Sequence, residues 1–284
     1  MSWYKTQVGE WSRQLRHKSW VFEDIISPSS CNNLILLLNS FFPKNYQHDL
    51  FHLRSQETLP LGFHFLFNNQ PNTDLGLDGY DNYQAPVIGG KQIYQRRMWV
   101  KGLLEYEKMP KLNHFLACRE SINSTRVMGN NAFVETRRDF LVENEFQFRE
   151  LRALMYTNES HRPISSSKLL PSDDDNLFIN LSFSDILRYS FLTYNCHRVH
   201  YDQTYCRERE NLPTIIVQGP FMVTILLHWF RLRFPTYQVK SFRYKNRAPW
   251  FSGPALINCY HLDSGFKLFL VSIDRHILLE GIIK

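Results

Sequence analysis

The chain switches between two periodicities, and does so twice. Near its start, Trp3, Trp11, Leu15 and Trp20 fall on one helical stripe among Lys5, Arg13, Arg16 and Lys18, the spacing of an amphipathic first helix. A basic stretch over residues 1–19 also has the make-up of a mitochondrial targeting segment, against which Glu10 and the low serine content speak. Ser27-Pro28-Ser29-Ser30 then precedes an apolar run from Asn33 to Phe42, a helix start that Pro43 closes. Residues 68–92, rich in Asn, Gly, Pro and Asp, read as a long loop. Beyond it the period shortens. Segments 97–107, 115–127, 131–142 and 145–157 predict antiparallel strands, separated by Pro110, by Gly129-Asn130-Asn131 and by Glu143-Asn144.

Residues 158–175 are polar, with two prolines, a serine run and three aspartates, and predict a linker. Residues 177–191 are mostly apolar. Residues 219–234 are apolar nearly all round, which predicts a buried helix opened by Gly219-Pro220 and ended by Pro235. Strands follow at 237–247, 255–263, 266–274 and 276–283, with Asp263-Ser264-Gly265 as a hairpin turn. A helix followed by a run of strands thus occurs twice, without an obvious sequence repeat. The expected class is α+β, with two units, 20–157 and 176–284, in each of which an antiparallel sheet wraps a helix.

The chain has 284 residues, 43% hydrophobic and 21% charged, which excludes wholesale disorder. Its longest apolar runs, Leu34–Leu38 and Phe221–Phe230, are far too short to span a bilayer as a helix, so no membrane insertion is expected. The formal charge is 33 − 27 = +6. That favours an acidic partner without saying which. Nucleic acid is not the expected one, because the basic residues form no run. Cys31, Cys118, Cys196, Cys206 and Cys259 are odd in number and widely spaced, as expected of reduced thiols.

One cluster carries chemistry. Tyr194-Asn195-Cys196-His197-Arg198-Val199-His200-Tyr201-Asp202 follows directly on a buried apolar segment. Polar groups so crowded there are costly unless hydrogen-bonded or used. Three readings stand side by side. His200 is a general base with Asn195 positioning water, since a histidine can take and return one proton within a cycle. Alternatively, Cys196, His197, His200 and Cys206 bind zinc, although their spacing matches no standard zinc pattern. In the third, the histidines are core residues satisfied by the backbone.

The cluster resembles the GDxNPxH motif of the MaoC-like hydratase and dehydratase family. Asn195 stands at the aspartate position, His197 at the asparagine position and His200 at the catalytic histidine. The asparagine-first variant, here TYNCHRVHYD, is similar to the branch that holds the fungal mitochondrial 3-hydroxyacyl-thioester dehydratases and mesaconyl-C4-CoA hydratase. The resemblance extends through LPLGFHFLFN (59–68), LGLDGYDN (75–82), QRRMWVKGLLEY (95–106), VQGPFMVTILL (217–227) and FRYKNRAPWFSG (242–253). Gln218 departs from it, standing where much of the family has histidine.

The resemblance implies a double hotdog fold and reversible dehydration of a (3R)-3-hydroxyacyl thioester to a trans-2-enoyl thioester, in mitochondrial type II fatty acid synthesis. It implies His200 as the base, Asn195 holding the water and Gly219 at the thioester carbonyl. His197 and Asp202 are implied as orienting groups, Asp202 being equally suited to cap a turn. The 176–284 unit would be catalytic and the 20–157 unit would bind the acyl chain, with Phe63, Phe65, Phe67 and Trp99 as walls of an apolar tunnel. Arg96, Arg97 and Arg198 are candidates for the phosphates or acidic surface of the carrier, either CoA or an acyl carrier protein. The elimination needs no cofactor and no metal. A monomeric pseudo-dimer or a homodimer is expected. Two other outcomes stay open: hydration of a short dicarboxylic acyl-CoA, which needs a buried cation in the acyl pocket, and a hotdog that binds thioesters without catalysis.

Overall fold

The computed structural model describes residues 3–47, 53, 57–76, 78–81, 84–162 and 176–284. Its first half runs α1 (Trp3–Leu15), β1 (Ser19–Ile25), α2 (Pro28–Asn39), a small ribbon of β2 (Val87–Ile88) and β3 (Lys91–Gln92), then β4 (Arg96–Tyr106), β5 (Phe115–Met128), β6 (Asn131–Val142) and β7 (Glu145–Thr157). The second half runs β8 (Asn176–Leu181), α3 (Phe183–Leu192), α4 (Gln203–Glu208), α5 (Gly219–Arg233), β9 (Ser241–Asn246), β10 (Gly253–Leu262), β11 (Gly265–Ser272) and β12 (Ile277–Ile283).

The strands run where the period-two pattern places them, because each has one face to bury. β6 alternates buried and half-buried positions along its length, so Val134, Thr136, Arg138 and Phe140 share the inner face. The β6–β7 turn uses Glu143 and Asn144, both with positive φ (50° and 66°), the two-residue hairpin that suits strand twist. α2 begins as its sequence predicts: Ser27 accepts from the Ser30 N–H and Pro28 occupies the first turn. α5 is buried from Phe221 to Phe230, Thr224 and His228 included. Together α2 and α5 form the centre of one apolar core.

The two expected sheets are one. Ten antiparallel strands run in the order β1-β5-β6-β7-β4-β9-β12-β11-β10-β8, five from each half. The halves meet edge to edge at β4 and β9, from Lys101↔Lys245 to Glu105↔Ser241. Gly102 pairs with Tyr244 on this seam. A side chain at 102 would run into the Tyr244 hydroxyl and the Leu151 carbonyl. That hydroxyl in turn accepts from Trp99 Nε1 at 2.9 Å, so the missing side chain at 102 lets the seam set where Trp99 stands.

Other departures have simple causes. Residues 177–191 hold two elements, β8 and α3, divided by a capping box in which Ser182 and Asp185 exchange hydrogen bonds. β1 escapes the pattern because, as an edge strand, it is nowhere fully buried. Strand β9 starts at Ser241, after Lys240 N–H has bonded to the Lys284 carbonyl. α1 packs Val8 and Trp11 against Ala132, Val134 and Tyr156; of the expected stripe Trp11 and Leu15 face this cluster, while Trp3 is exposed and Trp20 belongs to β1. Of the linker expected at 158–175, residues 163–175 lie outside the described residues.

Candidate active site

The polar cluster is folded by its own short-range hydrogen bonds. Tyr194, just past α3, adopts a left-handed backbone (φ 52°), which turns the chain sharply off the helix end. Asn195 N–H then bonds to the Ser190 carbonyl at 2.9 Å, and Asn195 Oδ1 accepts from the His197 N–H at 3.2 Å. A 3-10 turn over Arg198–His200 follows. It tucks His200 under the chain before α5, where Nδ1 lies 2.9 Å from the Ile216 carbonyl. A carbonyl only accepts, so Nδ1 carries the proton and Nε2 keeps its lone pair. Burial, with His197 beside it, pushes His200 down to about 3, which keeps the ring neutral.

Asn195 and His197 line a cavity of about 150 Å³ between the two halves. His200, 6% exposed, stands behind that wall with its ring near-parallel to that of His197, 6.0 Å between centroids. His197 Nε2 lies 2.9 Å from Oδ2 of Asp81, a residue of the first half. Burial lowers the His197 pKa, and the Asp81 hydrogen bond opposes it.

The opening of α5 is tied to the same loop. Gln218 Nε2 donates to the Ile186 carbonyl and to Ser190 Oγ, at 2.9 and 2.7 Å, so the residue that departs from the family pattern fastens α3 to α5. A Cβ on Gly219 would lie 3.0 Å from Asn246 Nδ2 and 3.2 Å from Trp99 Cβ. The space that glycine frees is thus filled by side chains from the seam, and it is Pro220, the next residue of α5, that lines the cavity.

The opposite wall is not the expected apolar tunnel. Phe63 and Phe67 belong to the core, and only Phe65 and Trp99 of the expected aromatics reach the cavity. Glu120, Arg138 and Arg152 face it from β5, β6 and β7. Arg138 lies 2.9 Å from Glu120 and 3.5 Å from Glu150, and Arg152 forks the Glu150 carboxylate at 2.9 and 2.6 Å. Burial opposes ionisation of Glu150, but the Arg152 and Arg138 guanidinium groups outweigh it and hold its pKa below the ordinary range.

Several expected assignments are redirected. Arg96 pairs with Glu210 at 2.7 Å and donates to the Asn158 carbonyl. Arg97 turns inward over Tyr80 and Tyr156 and lines the cavity. Arg198 pairs with Asp202 at 2.6 Å and covers the Tyr205 ring. Asp202 caps α4 through the Tyr205 N–H, so it takes the capping role, and the Ile216 carbonyl orients His200. The zinc set does not assemble: Cys196 is exposed, Cys206 is buried against the Val199 carbonyl, and among the described residues no three metal-binding side chains converge. Sequence reasoning missed Asp81, Glu120, Arg138, Glu150 and Arg152. The signal was present in Glu120, Arg138 and Glu150, which place charge among the buried positions of strands.

His64 shares the situation of His200. It is fully buried, and its pKa is pushed down to about 3, by burial first. In the unfolded chain both rings titrate near 6.5. Their stabilising contribution is therefore complete above that pH and is lost as pH falls towards 3, because the unfolded state takes up protons first. Moving from pH 7.5 to 5.0 is expected to cost about 2 kcal/mol per histidine. Urea midpoints at the two pH values check this, and equal midpoints would contradict it.

A profile described as hydroxyacyl-thioester dehydratase type 2 matches residues 62–252, a span that holds the cluster, Asp81 and α5. The chain belongs to that family. Among its relatives, the mitochondrial hydroxyacyl-thioester dehydratase type 2 of Saccharomyces cerevisiae is 29% identical over 275 residues, covering 91% of this chain and 94% of its own. The Schizosaccharomyces pombe protein of the same name is 25% identical over 234 residues, 71% and 77% of the two chains. In fold, the chain is similar to HtdX of Mycobacterium tuberculosis, with a TM-score of 0.66 at 13% identity over 94% and 99% of the chains. It is also similar to a conserved protein of that organism with a double hotdog fold, with a TM-score of 0.57 at 10% identity over 94% and 95%. The ten-stranded sheet around α2 and α5 is that fold.

Proposed function

We propose that this chain is a mitochondrial hydro-lyase that interconverts (3R)-3-hydroxyacyl and trans-2-enoyl thioesters in fatty acid synthesis. The observation that carries the site assignment is the tautomer of His200. With Nδ1–H held by Ile216, Nε2 is the acceptor, and burial keeps it unprotonated at working pH. In dehydration, His200 takes the proton at Cα, and negative charge builds on the thioester oxygen. The Gly219 N–H at the start of α5 is suited to that charge. Asn195 cannot titrate, so its part is to hold the leaving hydroxyl or the attacking water.

Asp81 is a positioning residue for His197 on the cavity wall. Asp81→Asn is expected to lower kcat by about 10–100-fold, the worth of one charged hydrogen bond, and to shift the pH profile. A changed KM alone would remove this role. The carrier is a CoA or acyl carrier protein thioester, and the chain works as a monomeric pseudo-dimer or as a homodimer. The deciding experiment is hydration of crotonyl-CoA with chiral analysis of the product. An (R) alcohol supports the reading. If crotonyl-CoA and the matching carrier-protein thioester both stay untouched, the protein is a binding hotdog instead.

A further inference from the structure

We propose that His197 is a second catalytic residue. Through Nδ1 it hands a proton to the departing hydroxyl, and in the reverse direction it takes one from the attacking water, while Asp81 lets the ring carry the charge. The inference rests on the dehydratase reading, since it takes the cavity beside Asn195 and His197 as the place of the reacting carbons.

The chemistry sets the need. A hydroxyl leaves readily only as water, so the oxygen at Cβ must gain a proton as its bond breaks. Asn195 cannot supply it, because an amide does not titrate in the working range. Its Oδ1 accepts from the His197 N–H, which leaves Nδ2 to hold the oxygen by donating to it. Among the described residues two carboxylates line the cavity, Asp81 and Glu120. Glu120 is tied to Arg138 at 2.9 Å and accepts from Gln70 and Gln84, whereas Asp81 faces His197. Burial raises the Tyr156 and Tyr189 hydroxyls above their ordinary values, which makes both poorer acids.

His197 is placed for the task. Its side chain is 18% exposed and lines the cavity. A carboxylate only accepts, so Nε2 carries the hydrogen that meets Asp81 Oδ2 at 2.9 Å. Nδ1 has no hydrogen-bond partner among the described residues, and is the ring nitrogen left for substrate. His200 has the opposite arrangement, with Nδ1–H on the Ile216 carbonyl and Nε2 free. The two rings lie near-parallel, 6.0 Å between centroids, but they face different partners. A carboxylate stabilises an imidazolium far better than a carbonyl does. His197 is therefore the ring suited to hold a proton, and His200 the one suited to take it. Burial makes the His197 imidazolium a stronger acid than a free one; Arg97 acts in the same sense, and Asp81 and Asp78 oppose both.

The turnover balances. His200 Nε2 takes the Cα proton, and the C–H electron pair becomes the second bond between Cα and Cβ. The C–O bond at Cβ breaks, and the oxygen leaves as water with the proton from His197 Nδ1. His200 then gives its proton to solvent and His197 regains one, so the cycle consumes none.

The test changes the leaving group, because chloride departs without a proton. Formation of the enoyl thioester is followed from (3R)-3-hydroxybutyryl-CoA and from 3-chlorobutyryl-CoA of matching geometry, with the rate in the absence of enzyme subtracted. His197→Ala is expected to slow dehydration by at least about 10²-fold and chloride elimination by less than about fivefold, whereas His200→Ala slows both by at least about 10²-fold. Equal losses on the two substrates in His197→Ala, or no loss on either, overturn the inference and leave the dehydratase reading standing. Should the alanine variant not fold, His197→Gln, which still donates to Asp81 but takes up no proton, is judged by the same split. If the wild type forms no enoyl thioester from the 3-hydroxyacyl group on CoA or on carrier protein, the dehydratase reading falls and this inference falls with it.

Discussion

Replacing His200 by alanine is expected to lower kcat on a short enoyl thioester by between about 10² and 10⁴, the usual worth of a general base, with KM little changed. The melting temperature should fall by several degrees, because the ring is buried and its loss leaves a cavity and the Ile216 carbonyl unpaired. The companion variant is His197→Ala. His197 lines the cavity and His200 stands behind it, so the two compete for the role of base on geometry. His200 has its Nδ1 proton fixed by a backbone carbonyl that mutation elsewhere cannot remove, whereas His197 spends Nε2 on Asp81. The larger loss is therefore assigned to His200. Steady-state hydration kinetics of both variants check this. A larger loss in His197→Ala would transfer the base to that residue, and full activity in His200→Ala would sink the assignment.

The second large effect concerns stability. Glu150 is fully buried and serves Arg152 through a two-bond fork and Arg138 through a 3.5 Å contact. Glu150→Ala leaves Arg152 without its carboxylate and Arg138 with Glu120 alone. Breaking a buried charge network from one side costs about 3–5 kcal/mol, which for a chain of this size lowers the melting temperature by roughly 10 °C. Glu150→Gln keeps the shape and one acceptor oxygen, and should lose less. Thermal unfolding of the three proteins at pH 7.5 measures this. A change under about 1 kcal/mol in the alanine variant would show that water already reaches these groups.

The long strands of the first half and helix α5 were legible because they follow burial directly. β6 keeps one period from Ala132 to Phe140, and α5 is buried on every face from Phe221 to Phe230. The polar cluster after α3 stands out in the sequence for the opposite reason: polar groups crowd where the neighbouring segments are apolar. The pairing of His197 with Asp81 was not legible, because the two stand 116 residues apart and no local pattern joins them. The polar cavity wall was half legible. Arg138 stands in step with Val134, Thr136 and Phe140 on the inner face of β6, so a strict alternation puts a charge inside, yet its partners on β5 and β7 depend on strand register. Arg96 and Arg97 show the same limit. Adjacent residues of a strand point to opposite faces, and only one of the two arginines lines the cavity.

The β4–β9 seam also has a mechanical meaning. Two domains joined by a flexible tether can swing apart to admit a ligand. These halves share one hydrogen-bonded ladder, and the Tyr244 ring lies across it in the gap left by Gly102. Opening the molecule along that line would break backbone bonds in succession and expose two raw strand edges. The sheet therefore acts as a rigid spine, and the approach to the cavity lies at its rim, where Tyr194, one of its lining residues, is 58% exposed. Rates of entry and release should then follow the stiffness of that rim and be indifferent to any motion of one half against the other.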